Sequence, residues 1–366
     1  QFSSSLEETQ RQISLQKQKD MQHTAESYRQ RQKEELLKRA KLHRDLHEYD
    51  KAERIVMQVL DENPADGATE NRVEATVIEG CGGTGVFFDQ SATSNSINDT
   101  KVTGTDTNLH GLHLTGAGVH YNDVSIPGSS STALPAWYNG HGGYGVLIEN
   151  GAHHNTVHPG AVKNNGAGGI RIVGAGSDYN IIGRISDVVP RRCEVHFNGG
   201  PGVYLGPGVD HTIIRYISVA GNAGDGVLLE GPDCSHNQIQ SCATGVDLYA
   251  ETMVLARNEG SGVRLTGGAH HNLIGGRYPG SSGWRNAICG NRDQGVLIEG
   301  PASAYNVVNQ SHFGSMQPVR YVWPPVYFPN GVNGIVLAGG AHHNIIGDRH
   351  KWLDNHILAH EAGAGI

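Results

Sequence analysis

No stretch of about eighteen apolar residues occurs in this chain, and no segment has the short apolar core of an export signal. A helical membrane span is therefore excluded, and a signal sequence is not visible. Lysine is almost missing from most of the sequence: after residue 70 only Lys101, Lys163 and Lys351 occur. That part carries 16 basic against 22 acidic residues, so it accounts for about −6 of the total charge of −8. A surface so poor in cations lacks the basic stripe that nucleic acid requires, which excludes nucleic acid as a partner. The five cysteines are scattered, odd in number and without CxxC spacing, so neither a disulfide scaffold nor a zinc knuckle is expected. Buried thiols are the simpler reading, with Cys234 and Cys242 as a pair that could meet in an oxidising compartment. There is no glycine-rich phosphate loop in a helical context and no nucleophile elbow, and no cofactor is expected.

Glycine is what the first 70 residues lack. Only Gly67 of the 51 glycines falls there, and the segment is rich in Gln, Glu, Lys and Arg, which favours helix. Ala52, Ile55, Val56, Val59 and Leu60 follow the spacing of one apolar helical face, and Leu36, Leu37 and Ala40 mark another. The stretch 33–66, with Ala40, Tyr49, Ala52 and the closing Asn63-Pro64, resembles one tetratricopeptide unit, although the usual aromatic and Leu-Gly signals of its first helix are absent. A single unit cannot cover its own faces. Residues 1–70 are thus expected to form a helical hairpin or tether that continues from others in a longer chain, or that docks a protein partner or a second copy.

Beyond that point glycine sets the pattern. A phrase of about thirteen residues recurs at least nine times from Gly85 onward: Gly, apolar, any, apolar, then a Gly-rich turn closing on Asn and two apolar residues. Copies include GVLIENGAHHNTV (145–157), GIRIVGAGSDYNII (169–182), GVRLTGGAHHNLI (262–274) and GIVLAGGAHHNII (334–346). Alternation in GVLI sends Val146 and Ile148 to one side of a strand and Leu147 to the other. Asn followed by two apolar residues reads as a second short strand, and AVKN (161–164), EVHFN (194–198), NAICGN (286–291) and HILAH (356–360) as a third. Glycine and proline at the turns supply the backbone angles that such corners need, and no helix would survive there. Each unit has an apolar face that only a stacked neighbour can cover, which is the logic of a solenoid. The shortest coils span 24 residues (Gly145 to Gly169, Gly202 to Gly226) and others are longer, with intervals of 33 from Gly169 to Gly202 and from Gly262 to Gly295, the excess falling mainly after the second strand. GVDLY (245–249) lacks the following Asn and is read as part of the long coil between Gly226 and Gly262.

This pattern resembles the bacterial right-handed parallel β-helix repeat proteins of the pectate-lyase-like superfamily, over roughly residues 72–366. The resemblance implies a mainly β fold of about nine to ten three-strand coils over 71–366, preceded by the α-helical segment. It leaves function open, because the group spans lyases, hydrolases, epimerases, accessory proteins and adhesins. The sequence ends two residues into another coil, so an open β edge is expected there unless more chain or another copy covers it.

Aligned coils put Asn95, Asn122, Asn155, Asn180, Asn237, Asn272, Asn306 and Asn344 in one column, with Thr212 as the exception. Amides one strand spacing apart can hydrogen-bond along such a column, and Asn tolerates a left-handed corner, so the role is structural. The preceding column is a stack of rings: Tyr121, His154, Tyr179, His211, His236, His271, Tyr305 and His343. One place earlier, several coils carry His or Asp. Because neighbouring residues in a strand point opposite ways, ring stacking outweighs metal ligation in this reading, and no metal site is assigned.

Two catalytic or binding surfaces follow. Asp178, Asp210 and His211, with His153 nearby, would bring two carboxylates one strand apart, as an acid/base pair requires. The resemblance also points to the outer face of the first strand, where related enzymes work; here it presents His113, Glu149, Arg171, Tyr204, Glu230, Arg264 and Glu299. Aromatic residues gather in inserted loops, among them Trp137, Trp284, Trp323 and Tyr327, and flat rings beside polar groups suit a saccharide. The expected function is a secreted or cell-envelope β-solenoid that binds polysaccharide, adheres or builds an assembly. The alternative is a polysaccharide lyase, epimerase or hydrolase working on one of these surfaces.

Overall fold

The chain divides into Gln1–Gly67 and Ala68–Ile366. The computed structural model describes residues 72–74, 76–98, 100–104, 109–125, 137–183, 193–247, 254–276, 285–316, 326–347 and 355–357, together with Lys38. The helical hairpin expected over residues 1–70 lies outside the described residues, as do Trp284, Trp323 and the last nine residues.

Three parallel sheets run side by side through the described residues. The first is built from the GVLI-type segments and has nine strands, from Val86–Asp89 to Ile335–Ala338. The second follows the asparagine turn and has ten, from Arg72–Glu74 to Ile345–Ile346. The third, also of ten, runs from Val77–Glu79 to His356–Ile357. Within these three sheets every strand pairs with its counterpart one coil away, never with its sequence neighbour, so the chain winds as a parallel β-helix. Pairing is in register: Val146 lies beside Ile170, Ile170 beside Val203, and Val203 beside Val227.

Register turns the sequence repeat into columns. Val146, Ile170, Val203, Val227, Val263 and Val296 form one fully buried inward row of the first sheet. Val157, Ile182, Ile214 and Ile274 continue the interior in the second sheet, and Val162, Val195 and Val219 in the third. Each buried aliphatic side chain contributes about 1.5–3 kcal/mol relative to exposure. The glycine opening each copy is required by close approach and not by its φ. A Cβ on Gly169 would stand 2.4 Å from the Gly202 carbonyl oxygen and 2.4 Å from Val195 Cγ1. Gly202 and Gly295 are confined in the same way.

The asparagine column is a ladder. Asn122 Nδ2 donates to Asn155 Oδ1 at 2.9 Å, and the Asn122 backbone N–H donates to the same oxygen at 3.1 Å. The arrangement recurs from Asn237 to Asn272 and from Asn272 to Asn306. The left-handed backbone belongs one residue earlier than the sequence suggests. Tyr121, His154, Tyr179, His211, His236, His271, Tyr305 and His343 have φ between 50° and 57°, whereas none of the ladder asparagines has positive φ. The corner is therefore turned by the ring residue, and the asparagine locks it.

A second ladder, not anticipated, stands between the third and first sheets. Asn165 Nδ2 donates to Asn198 Oδ1 (2.8 Å), Asn198 to Asn222 (2.9 Å), Asn222 to Asn258 (3.0 Å), Asn258 to Asn291 (2.9 Å) and Asn291 to Asn330 (3.0 Å). Each of these lies four residues before the glycine that opens the next first-sheet strand.

Inserted chain leaves from this corner as well. Val246–Asp247 pairs antiparallel with Val254–Leu255, and Ser315–Met316 with Val326–Tyr327. GVDLY thus begins a ribbon within the long coil, as its missing asparagine implies. Phe328 folds back on Ala243, Val246, Ala287 and Cys289, so the third sheet is covered on its outer face there too. All five cysteines are free, and all but Cys81 are buried.

Thr212 interrupts the first ladder. It is fully buried, its N–H donates to Asn237 Oδ1 at 2.9 Å, and its Oγ1 makes no hydrogen bond among the described residues. Thr212→Asn restores the missing rung and is expected to add about 1 kcal/mol, a rise of about 2–4 °C in the thermal midpoint. Asn237→Ala strips the acceptor from a buried N–H and is expected to cost about 1–3 kcal/mol. Calorimetry of the two variants beside the parent measures both signs.

Candidate functional site

The outer face of the first sheet carries a polar strip that crosses most coils. His113 Nε2 lies 3.1 Å from Glu149 Oε1. Arg171 Nη1 donates to the Tyr144 hydroxyl at 2.9 Å, and the guanidinium lies between two rings, 5.4 Å from the Tyr144 centroid and 5.0 Å from that of Tyr204. Register explains the clamp, because Arg171 is the direct neighbour of Tyr204 in the next coil. Cation–π attraction of about 0.5–1 kcal/mol per ring holds the group in place. Tyr204 is hydrogen-bonded to Glu230; burial first, then that bond and the carboxylate charge, push its phenol up to about 12. Arg264 bonds Glu299 through Nε at 2.8 Å and through Nη2, and its Nη1 lies 3.8 Å from Asp225 Oδ2. Burial raises the Asp225 carboxyl above its usual range.

Of the seven outer-face residues expected from sequence, the structure joins His113 to Glu149, Tyr204 to Glu230 and Arg264 to Glu299. Three partners were missed: His110, whose Nδ1 accepts the Tyr144 N–H at 3.0 Å, Tyr144 itself, and Asp225. Each immediately precedes an opening glycine. Strict alternation counts that place as inward, since Tyr144 shares parity with the buried Val146, but the corner at the glycine turns it outward. Among the described residues no carboxylate pairs with Arg171, which sets it apart from Arg264. Its free N–H edges are the strip's available cationic donors.

The ring column stands at the next corner. Ring centroids are 4.8 Å apart for His154–Tyr179, 4.7 Å for Tyr179–His211, 5.1 Å for His211–His236, 5.3 Å for His236–His271 and 4.9 Å for His271–Tyr305, all stacked. Stacking uses the faces of these rings on one another and leaves mainly edges to solvent. Asp178, Asp210 and His211 meet beside it: the Asp210 N–H donates to Asp178 Oδ1 at 2.9 Å, and His211 Nδ1 is 3.1 Å from Asp210 Oδ1. The Asp178 carboxyl is raised by burial and by the like charge of Asp210. Tyr327 is exposed, and Trp137 lies in the third-sheet strand Trp137–Asn139, remote in sequence from the ribbon.

A buried polar cluster lies under the Val246–Leu255 ribbon. His196 Nε2 is 2.9 Å from Ser218 Oγ, and His196 Nδ1 is 3.8 Å from Asp247 Oδ2. The order imitates a Ser-His-Asp relay, but Ser218 is fully buried, its hydroxyl donates to the Val246 carbonyl at 2.9 Å, and 3.8 Å is too long for a hydrogen bond. These groups anchor the ribbon. Lys163 also pairs with the buried Glu194 on this sheet.

A family model described as a right handed beta helix region matches residues 139–277, the coils that contain Arg171, Asp178, Tyr204, Asp210, His211 and Glu230. Together with the stacked parallel strands, this makes the solenoid a right-handed β-helix. No curated protein and no solved structure matches the chain.

Burial lowers His141 and His196 from the ordinary imidazole range to about 4. In the unfolded chain both titrate near 6.5, so between 6.5 and 4 the unfolded state binds protons that the folded state refuses. Their contribution is complete above 6.5 and is lost as pH falls toward 4, by about 1.4 kcal/mol per pH unit for each group. The thermal midpoint is expected to drop through this window, and less steeply in His196→Gln. Scanning calorimetry from pH 7.5 to 4 measures the difference.

Proposed function

We propose that this β-helix is a secreted or cell-envelope polysaccharide-binding protein, and that the glycan lies along the outer face of the first sheet. The Arg171 clamp carries the reading: a guanidinium fixed between Tyr144 and Tyr204, without a carboxylate partner among the described residues, in the middle of a strip of hydroxyl, imidazole and carboxylate groups. A long row of donors and acceptors with one available cation suits a chain of sugar hydroxyls bearing an acidic substituent. The resemblance to the pectate-lyase-like group, whose members act on this face, supports the same location. Residues 1–70 would then dock the solenoid to a protein partner or a second copy.

The second reading is a lyase, epimerase or hydrolase, favoured by the adjoining Asp178 and Asp210 carboxyls, one of them held above its usual range. Asp178 would then be the proton donor and His211–Asp210 the acceptor.

Affinity electrophoresis over neutral and acidic polysaccharides tests the first reading. At least one glycan is expected to retard the protein, and Arg171→Ala, compared at a temperature where circular dichroism shows both proteins folded, is expected to weaken that interaction about tenfold or more, about 1.4 kcal/mol. Absence of retardation by any glycan, or an unchanged Arg171→Ala, overturns it. Reducing ends or unsaturated products released by the parent and lost in Asp210→Ala would instead establish the enzyme.

A further inference from the structure

Three turns of the first ladder carry Ala-His-His-Asn, at 152–155, 269–272 and 341–344. In each, two successive imidazoles meet nitrogen to nitrogen. The Nδ1–Nδ1 separations are 2.8 Å for His153–His154, 2.9 Å for His270–His271 and 2.7 Å for His342–His343. The ring planes cross at 81°, 86° and 84°. In an extended strand, neighbouring side chains diverge. Here the second histidine has φ of 53°, 55° and 54°, and this left-handed step brings its ring round to its predecessor. The same geometry arises in three coils whose neighbours in the columns differ.

We propose that each His-His turn binds one divalent copper or nickel ion through its two Nδ1 atoms, as adjacent ligands of a square-planar centre. The 2.7–2.9 Å separations are those of an Nδ1–H···Nδ1 hydrogen bond that holds the two rings together without metal. Imidazole nitrogen suits copper and nickel, and a site of two adjacent nitrogens with no further His, Cys, Asp or Glu among the described residues suits their tetragonal geometry better than the four-ligand tetrahedron of structural zinc. Without metal, one ring donates its Nδ1–H to the other. On binding, that proton transfers to the Nε2 of the same ring, so both nitrogens ligate with no net proton released. Among the described residues no group of three or more His, Cys, Asp or Glu could hold a metal, so water completes each centre. The ring column supplies controls. His211 and His236 belong to the same stack but follow Asp210 and Ser235, and stacked rings 5.1 Å apart cannot converge on one ion.

Copper titration of the full chain, followed by equilibrium dialysis and electron paramagnetic resonance, tests the assignment. The variant His153→Ala/His270→Ala/His342→Ala removes one ring of each pair and leaves His154, His271 and His343 in the stack. It is expected to bind three equivalents fewer than the parent and to lose the signal of two equatorial nitrogens. Each single substitution is expected to remove one equivalent, and comparison with the parent cancels copper held elsewhere. Circular dichroism confirms that the coils persist. Equal copper in parent and triple variant, or a parent signal with one nitrogen per copper, overturns the proposal.

Discussion

In-register parallel pairing is the constraint from which the rest follows. Each residue of a coil is placed about 4.8 Å from its equivalent in the next, so a choice made once is repeated along the whole solenoid. Groups that gain from meeting their own kind are therefore selected: aliphatics inside, amides at two corners, rings at one of these. An asparagine is both donor and acceptor, and its Oδ1 accepts both the backbone N–H and the side-chain amide of the asparagine one coil before, as Asn155 does for Asn122. A column of one charge would be driven apart by the same spacing. Arginine and carboxylate are accordingly interleaved with tyrosine, leucine and histidine on the outer face, and where Asp178 and Asp210 come close, the Asp178 carboxyl is raised by burial and by its neighbour's charge.

Much of this was legible because a repeat states its structure many times. The three strands, the inward rows, the Asn95–Asn344 ladder and the ring stack all follow from alternation and from aligning copies on a single asparagine. What escaped lies where alternation stops. Tyr144, His110 and Asp225 precede an opening glycine, and the corner reverses the face that parity assigns them. The second ladder was written in the sequence as an asparagine four residues before each of six glycines, yet the third strand varies too much in length and composition to draw attention to it. The left-handed corner was credited to asparagine because asparagine tolerates it best in isolation. In the coil the ring residue takes that position, where its stacking neighbours offset the backbone cost.

The outer surfaces divide by how much freedom the coil leaves them. On the third sheet the pairs Val246–Asp247 with Val254–Leu255 and Ser315–Met316 with Val326–Tyr327 fold back locally, and the buried His196 and Ser218 face the first of them. The first sheet keeps an open face, where Leu147 is buried among its neighbours while Arg171 and Tyr204 remain partly accessible. Recognition of a long ligand is best placed on such a face, because the same register that aligns the coils also aligns the contacts along the ligand.

The ring corner shows how one backbone feature serves two ends. Positive φ at the ring residue is costly for any side chain but glycine, by about 1 kcal/mol or more. It is maintained by the stack outside and the asparagine ladder inside. Once maintained, it changes the chemistry available to the preceding residue, because consecutive side chains no longer point apart. Where that residue is Asp, as at Asp210, the ring beside it acquires a carboxylate partner 3.1 Å away. Where it is Ser, as at Ser235, a hydroxyl takes that place at 3.1 Å. Where it is His, two Nδ1 atoms face one another. Structure therefore fixes the second position of each turn, and the first is left free to vary from coil to coil, which is where a solenoid of otherwise uniform coils can acquire distinct sites.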